Sequence, residues 1–258
     1  MLIYLVYDKS MDQLLREERV NIMLTFASIP KGRDIPRGFK SVLLDSGGYQ
    51  LQTGVDTGRT LTPNSYAAWL QFNLERFPEI VGYFNMDILG NTDQTLSNQL
   101  YLESQGLHPI PVWHPGEDDA ILDYYVSKHE YVALGGLVGK GKMDRHVVRK
   151  VFERMITKYK STRFHIFGMG ITASSALRTF RPYSVDYSTW INSYRYGMGL
   201  VWDKDGLLRE HLLPEEIRTR IRVDKEFKRE IVREAIRKIK EFTKRIEEMN
   251  DPYQVQLL

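Results

Sequence analysis

The chain's 258 residues suffice for one large α/β domain, and its 42% hydrophobic and 27% charged residues are the proportions of an ordinary soluble protein. No run of the sequence approaches the roughly 18 apolar residues that a membrane span needs, and the lack of cysteine excludes disulfides and thiolate metal sites, which fits a cytoplasmic protein. The net charge of +3 belongs to the C-terminal segment, where residues 215–249 hold 12 Lys/Arg against 9 Asp/Glu, while the remainder holds 24 of each.

Short apolar runs recur at 2–6, 22–26, 42–44, 81–86, 110–113, 131–134, 164–167 and 183–186, and each reads as a strand. The first has neither a basic leader nor a small-residue cleavage site and so reads as a strand, not a signal peptide. The connection from Ser28 to Lys40, with two prolines and two glycines, is irregular. Thr62-Pro63 places a capping hydroxyl before a proline at a first helical position. Asp144 precedes His146, Val147, Val148, Val151, Phe152 and Met155, which are apolar at helical spacing, and Thr172 opens a segment running to Phe180. Ile217, Ile221, Phe227, Ile231, Ile236, Ile239, Phe242 and Ile246 then form an apolar stripe on one long charged helix. Eight strands alternating with helices over about 250 residues predict a TIM (β/α)₈ barrel. The barrel is expected over 1–202, with a C-terminal helical extension over 203–258 in the same single domain; a doubly wound open sheet is the alternative.

Barrel enzymes carry their chemistry at the C-terminal ends of the strands. Here those ends are Asp45, Asp87, Trp113-His114, Gly135-Gly136-Leu137, Gly168-Met169-Gly170 and Asp186. Taken alone, Asp45-Ser46-Gly47-Gly48 reads equally as a strand delivering an acid or as an ordinary turn. Three carboxylates among glycine-containing turns favour the first reading. They suit cleavage of a glycosidic or N-glycosidic bond, with one carboxylate attacking the anomeric carbon and a second moving the proton. A third accepts from the N–H donors of a flat polar ring. Tyr49 and Phe167 are candidates to stack on that ring, or else a surface turn residue and a core aromatic.

Asp45-Ser46-Gly47-Gly48-Tyr49-Gln50, Gly135-Gly136-Leu137, Gly168-Met169-Gly170 and Val185-Asp186 resemble, in order and position, the motifs of the tRNA-guanine transglycosylase superfamily over roughly residues 40–200. The stretch from Asp186 through Trp190, Asn192, Arg195 and Gly197 is more similar to the branch that exchanges guanine in DNA for a 7-deazaguanine, such as 7-cyano-7-deazaguanine. The resemblance implies Asp186 as nucleophile and Asp45 as general acid/base. It implies Asp87 as reader of the base's N1–H and exocyclic amine, and Ser46, Gly48, Gly135, Gly136, Leu137 and Gly168 as the base-binding turns. It also implies Tyr49 and Phe167 as stacking rings, and no cofactor.

The departures bear on the substrate. The Cys/His zinc site of the tRNA-modifying members has no counterpart in a chain without cysteine, and the six histidines show no HExxH-type spacing, so no metal is expected. A family glutamine near the base is replaced by the region of His114, which either contacts the base or lines the mouth. Gly136 to Lys142 nearly completes a phosphate-binding loop, but Met143 stands where Ser or Thr must ligate magnesium. Lys140 and Lys142 are then either phosphate contacts for a nucleic acid or a solvated basic loop, and Arg195 is the stronger nucleic-acid candidate. The C-terminal stripe packs on the barrel or on a second copy, which leaves a homodimer open. Expected partners are DNA and a free 7-deazaguanine. The alternatives are the same exchange on tRNA, a non-catalytic nucleic-acid-binding barrel, and a glycosidase of small nucleosides.

Overall fold

The computed structural model describes residues 1–29, 35–54, 56, 58, 60–139, 142–143, 145–170 and 173–248. Its centre is a parallel sheet built from β1 (Leu2–Val6), β2 (Asn21–Thr25), β3 (Ser41–Asp45), β4 (Ile80–Tyr83), β5 (Val112–Trp113), β6 (Tyr131–Leu134), β9 (Arg163–Ile166) and β10 (Ser184–Tyr187). The strand order is β4-β3-β2-β1-β10-β9-β6-β5. A parallel bridge between Phe84 and Ile110 joins the two end strands. It is held by Ile110 N–H to the Tyr83 carbonyl at 2.8 Å and Asn85 N–H to the Ile110 carbonyl at 2.9 Å. The sheet thus curls into the predicted (β/α)₈ barrel, and the open-sheet alternative is set aside. Two further short strands, β7 (Val138–Gly139) and β8 (Lys142–Met143), pair outside the ring.

Residues two apart on a strand face the same way, and the burial follows that rule. Tyr4, Met23, Leu43, Phe84, Ile110, Val112 and Ala133 fill the bore. Their neighbours Ile3, Leu5, Ile22, Leu24, Val42, Leu44 and Val132 belong to the larger core that the helices cover. Gly82 is needed because a Cβ there would sit 2.9 Å from Ile110 and 3.1 Å from Leu43, where the β3–β4 register shifts.

The helices are α1 (Asp12–Glu17), α2 (Gly48–Thr53), α3 (Pro63–Asn73), α4 (Thr92–Ser104), α5 (Asp119–Lys128), α6 (Arg145–Thr157), α7 (Ser174–Phe180), α8 (Asn192–Arg195), α9 (Glu215–Val223) and α10 (Lys225–Glu248). The predicted start at Thr62-Pro63 is a full capping box, with Ser65 N–H donating to Thr62 Oγ1 at 3.2 Å and Thr62 N–H to Ser65 Oγ at 3.1 Å. The predicted caps Asp144 and Thr172 lie outside the described residues.

The C-terminal stripe is carried by two helices, not one. Asp224 adopts an extended backbone and its Oδ1 accepts from Phe227 N–H at 2.9 Å, ending α9 and opening α10. Val232, Ala235, Ile236, Ile239, Phe242 and Ile246 of α10 are buried within the chain's own core. Ile236 and Ile239 share a cleft with Leu2, Ile3 and Leu5 at the foot of the barrel. Arg229 pairs with Glu17 at 3.0 Å and Arg233 with Glu18 at 3.1 Å. So α10 lies over β1 beside α1, as a barrel helix does. The division expected at residue 202 runs through a two-stranded antiparallel ribbon, β11 (Met198–Trp202) with β12 (Leu208–Leu212). Among the described residues no helix is long and apolar enough to cross a membrane.

Candidate active site

The turn after β3 is shaped by its two glycines. Gly47 has φ +89°, a conformation glycine adopts at little cost, and a Cβ there would lie 2.6 Å from Ala27 Cβ. A Cβ on Gly48 would run into the carbonyl oxygen of Asp87. The glycines therefore let the turn close against the segments that follow β2 and β4. This brings Asp45, at the end of β3, beside Asp87. Ser46 is fully buried and, among the described residues, its Oγ has no hydrogen-bond partner. Asp45 keeps a partly exposed edge. Burial is the main cause that pushes its carboxyl up to about 7, and the charges of Asp87 and Asp186 push the same way. Hydrogen bonds from Gly47 N–H and the Thr25 hydroxyl only partly offset them.

Asp87 lies past the end of β4, not at the strand terminus. Its Oδ2 meets His114 Nε2 at 2.9 Å, and His114 Nδ1 meets Glu117 Oε1 at 3.0 Å. The His114 backbone N–H donates to the other oxygen of Glu117 at 3.1 Å. His114 is buried, with its side chain 3% exposed. Burial works against its charge, but the two carboxylates outweigh it and raise the imidazole to about 9. At neutral pH His114 is thus an imidazolium held between two acidic side chains. Beyond the two roles expected of His114, a base contact or lining the mouth, its two ring nitrogens meet Asp87 and Glu117. Gly135 makes room for it, since a Cβ there would sit 2.8 Å from the imidazole.

Two expected results follow from this array. A raised histidine stabilises the fold fully below its unfolded value of 6.5, and the contribution is lost as pH rises through about 9. Relative to His114→Gln, the wild-type protein should lose about 2–3 kcal/mol of unfolding free energy between pH 6.5 and 9. Parallel denaturant titrations would show it, and equal pH slopes in both proteins would disprove it. Gly135→Ala should push the imidazole off Asp87 at a cost of about 1–3 kcal/mol. In that variant the His114 proton resonances should titrate at lower pH; an unchanged titration would refute the close approach.

Asp186 sits within β10, one residue before its end, and is 5% exposed. Its Oδ1 accepts from Gly168 N–H at 2.7 Å. Gly168 takes φ +71° in the turn after β9, which aims that N–H back across the neighbouring strand. His165 Nε2 lies 3.6 Å from the same Oδ1. Gly170 follows in the same turn, and a Cβ on it would overlap the ring of Tyr187.

The remaining expected residues are spread more widely. Tyr49 is 73% exposed on α2, and Phe167 is half-buried against Phe84 and His165, with ring centroids at 4.6 and 4.8 Å. Gly136 is exposed with φ +65°, and Leu137 is buried. Arg195, on α8, pairs with Asp8 at 2.7 Å and stays about half exposed. Lys140, and Lys142 beyond its backbone, lie outside the described residues. Of the basic residues near the start of the C-terminal helices, Arg220 pairs with Asp224 and Arg229 with Glu17, so part of that charge is neutralised within the chain. Among the described residues no group of His, Asp and Glu is arranged to hold a metal ion.

Sequence reasoning missed Glu117, Thr25 and the bore residues Tyr131, Ser184 and His165. Glu117 was legible in principle as a carboxylate three residues after His114 in a turn-rich stretch. His165 and Ser184 share inward parity with Phe167 and Asp186, a signal that strand alternation would have exposed. The chain matches no protein-family model, and no curated protein shows significant similarity to it.

Proposed function

We propose that this protein is a base-exchange transglycosylase that replaces guanine in DNA with a 7-deazaguanine through a covalent glycosyl intermediate on Asp186. The observation that carries this reading is the meeting of three carboxylates at one barrel rim, with Asp45 held near neutrality by burial and by the charges of Asp87 and Asp186. An acid with a value of about 7 can give a proton in one step and take one in the next.

In the first displacement a lone pair of Asp186 forms a bond to C1′ of the nucleotide as the C1′–N9 bond breaks. The bond's electron pair leaves with guanine, which takes the proton of Asp45. In the second, Asp45 accepts a proton from the incoming base, whose nitrogen attacks C1′. The pair of the C1′–Asp186 bond then returns to the carboxylate. Two inversions give net retention and ping-pong kinetics. In this reading Asp87, held by His114, which Glu117 holds in turn, accepts from an amidine-like N–H edge such as that of guanine.

DNA is favoured over tRNA by the resemblance of the stretch after Asp186 to the DNA-acting branch and by the missing cysteines of a tRNA-type zinc site. The base edge and the scissile bond are hidden in a duplex, so the nucleotide must be flipped out or already single-stranded. Incubation with radiolabelled guanine tests this: label should enter DNA and not unmodified tRNA. Label in tRNA alone would overturn the substrate, and label in neither would overturn the exchange.

A further inference from the structure

The bore of the barrel carries a polar chain that runs up to Asp186. Tyr131 OH lies 2.5 Å from Ser184 Oγ, and Ser184 Oγ lies 2.7 Å from His165 Nδ1. The other nitrogen of His165 faces Asp186 Oδ1 at 3.6 Å and, among the described residues, has no hydrogen-bond partner. His165 is fully buried, wedged between the rings of Phe84 at 4.7 Å and Phe167 at 4.8 Å. A buried imidazole nitrogen without a partner is costly, and the Asp186 carboxylate stands just beyond its reach.

Resting on the base-exchange reading, we infer that His165 is a positioning residue. It holds its proton on Nε2, under the control of Ser184 and Tyr131, and completes with Gly168 N–H a two-donor cradle for Asp186 Oδ1, so that Oδ2 is the oxygen that attacks.

The proton inventory leads there. Burial outweighs the carboxylate's pull and lowers the imidazole's value, so His165 is neutral and carries one N–H. Burial also raises the Tyr131 hydroxyl well above its ordinary value, so it stays protonated and is able to donate to Ser184. The carboxylate facing Nε2 selects the tautomer with the single N–H on that nitrogen, and Ser184 then donates to Nδ1 and accepts from Tyr131. The opposite tautomer would set a lone pair against a carboxylate oxygen. Both donors address Oδ1, and among the described residues Oδ2 has no hydrogen-bond partner. At 3.6 Å His165 stands just beyond hydrogen-bond range of Oδ1, and long contacts of this kind tighten when substrate is bound.

The chemistry assigns the cradle a step. When Asp186 attacks, its charge is used up in the new C1′–Oδ2 bond. When the incoming base displaces it, negative charge returns to the carboxylate. Donors on Oδ1 stabilise that departing group, so their effect falls on breakdown of the intermediate.

The test combines a spectrum and a rate. In ¹⁵N-histidine-labelled wild-type protein, His165 should appear as the neutral Nε2–H tautomer; an Nδ1–H tautomer would overturn the inference whatever the enzyme does. In single-turnover reactions with DNA and excess base, His165→Phe should slow decay of the covalent adduct on the order of 10–100-fold, so that adduct accumulates. His165→Gln, which keeps a donor, should recover most of the rate. Tyr131→Phe, at the far end of the chain, should mix the tautomers and give an intermediate rate. A merely structural histidine would lower the melting temperature in all three variants without selective accumulation of adduct, and that result would overturn the role. Wild-type protein that forms no adduct at all would sink the nucleophile assignment and the helper role together. The tautomer in the same sample would still report whether the cradle is built.

Discussion

Asp45→Asn should abolish base exchange and, above neutral pH, make the protein more stable. The activity loss follows from removing the one group poised to move protons in both half-reactions, an effect on the order of 10²–10⁴-fold. The gain in stability follows from the sign of the shift. A carboxyl raised from 3.8 to about 7 binds its proton more tightly folded than unfolded, so ionising it in place costs stability progressively between those values and fully above them. Three units correspond to about 4 kcal/mol, and the partly exposed edge of Asp45 reduces that to about 2–4 kcal/mol. Asparagine keeps an oxygen for the Thr25 and Gly47 donors but carries no charge to repel Asp87 and Asp186. Paired urea titrations at pH 5 and pH 8 would resolve it. The variant should be the more stable protein at pH 8, and the difference should shrink at pH 5. A variant less stable than wild type at pH 8 would contradict the crowding of charge at the rim. Stability held back by a working site is a common trade-off.

Asp186→Asn should remove exchange by roughly 10⁴-fold or more, the scale reached when a nucleophile that works with an acid/base partner is deleted. The amide can still accept from Gly168 N–H through its oxygen, so the turn after β9 keeps its anchor and the fold should survive. Unchanged melting with no exchange is the expected pair of results. Loss of both would mean that Asp186 serves the barrel, and retention of exchange would take the nucleophile role from it.

The barrel was legible because its signals are local. Each apolar run is short, each is bounded by turn residues, and the Thr62-Pro63 cap works as its residue types predict. The acids at the rim were legible for the same reason, since Asp45 directly ends an apolar run and is followed by two glycines. Edges were less so: Asp87 lies beyond β4, and Asp186 one residue inside β10. The helix break at Asp224 was hidden by an apolar stripe that continues in register across it. What the sequence conceals most is pairing across the bore. His165, Ser184 and Tyr131 are separated by up to 53 residues and become a chain only when β6, β9 and β10 lie side by side. Phe84 and Ile110 close the ring through one bridge, which no local pattern announces. Glu117 gains its role only once His114 has turned toward Asp87.

The most direct test of the central claim is to incubate the protein with guanine-containing DNA, denature it rapidly, digest it, and search by mass spectrometry for a peptide joined to the DNA sugar. The base-exchange mechanism predicts one adduct, on the peptide that holds Asp186. It should be absent from Asp186→Asn and chased away by excess 7-deazaguanine. An adduct on another residue, or exchange that proceeds with no adduct on any peptide, would contradict it.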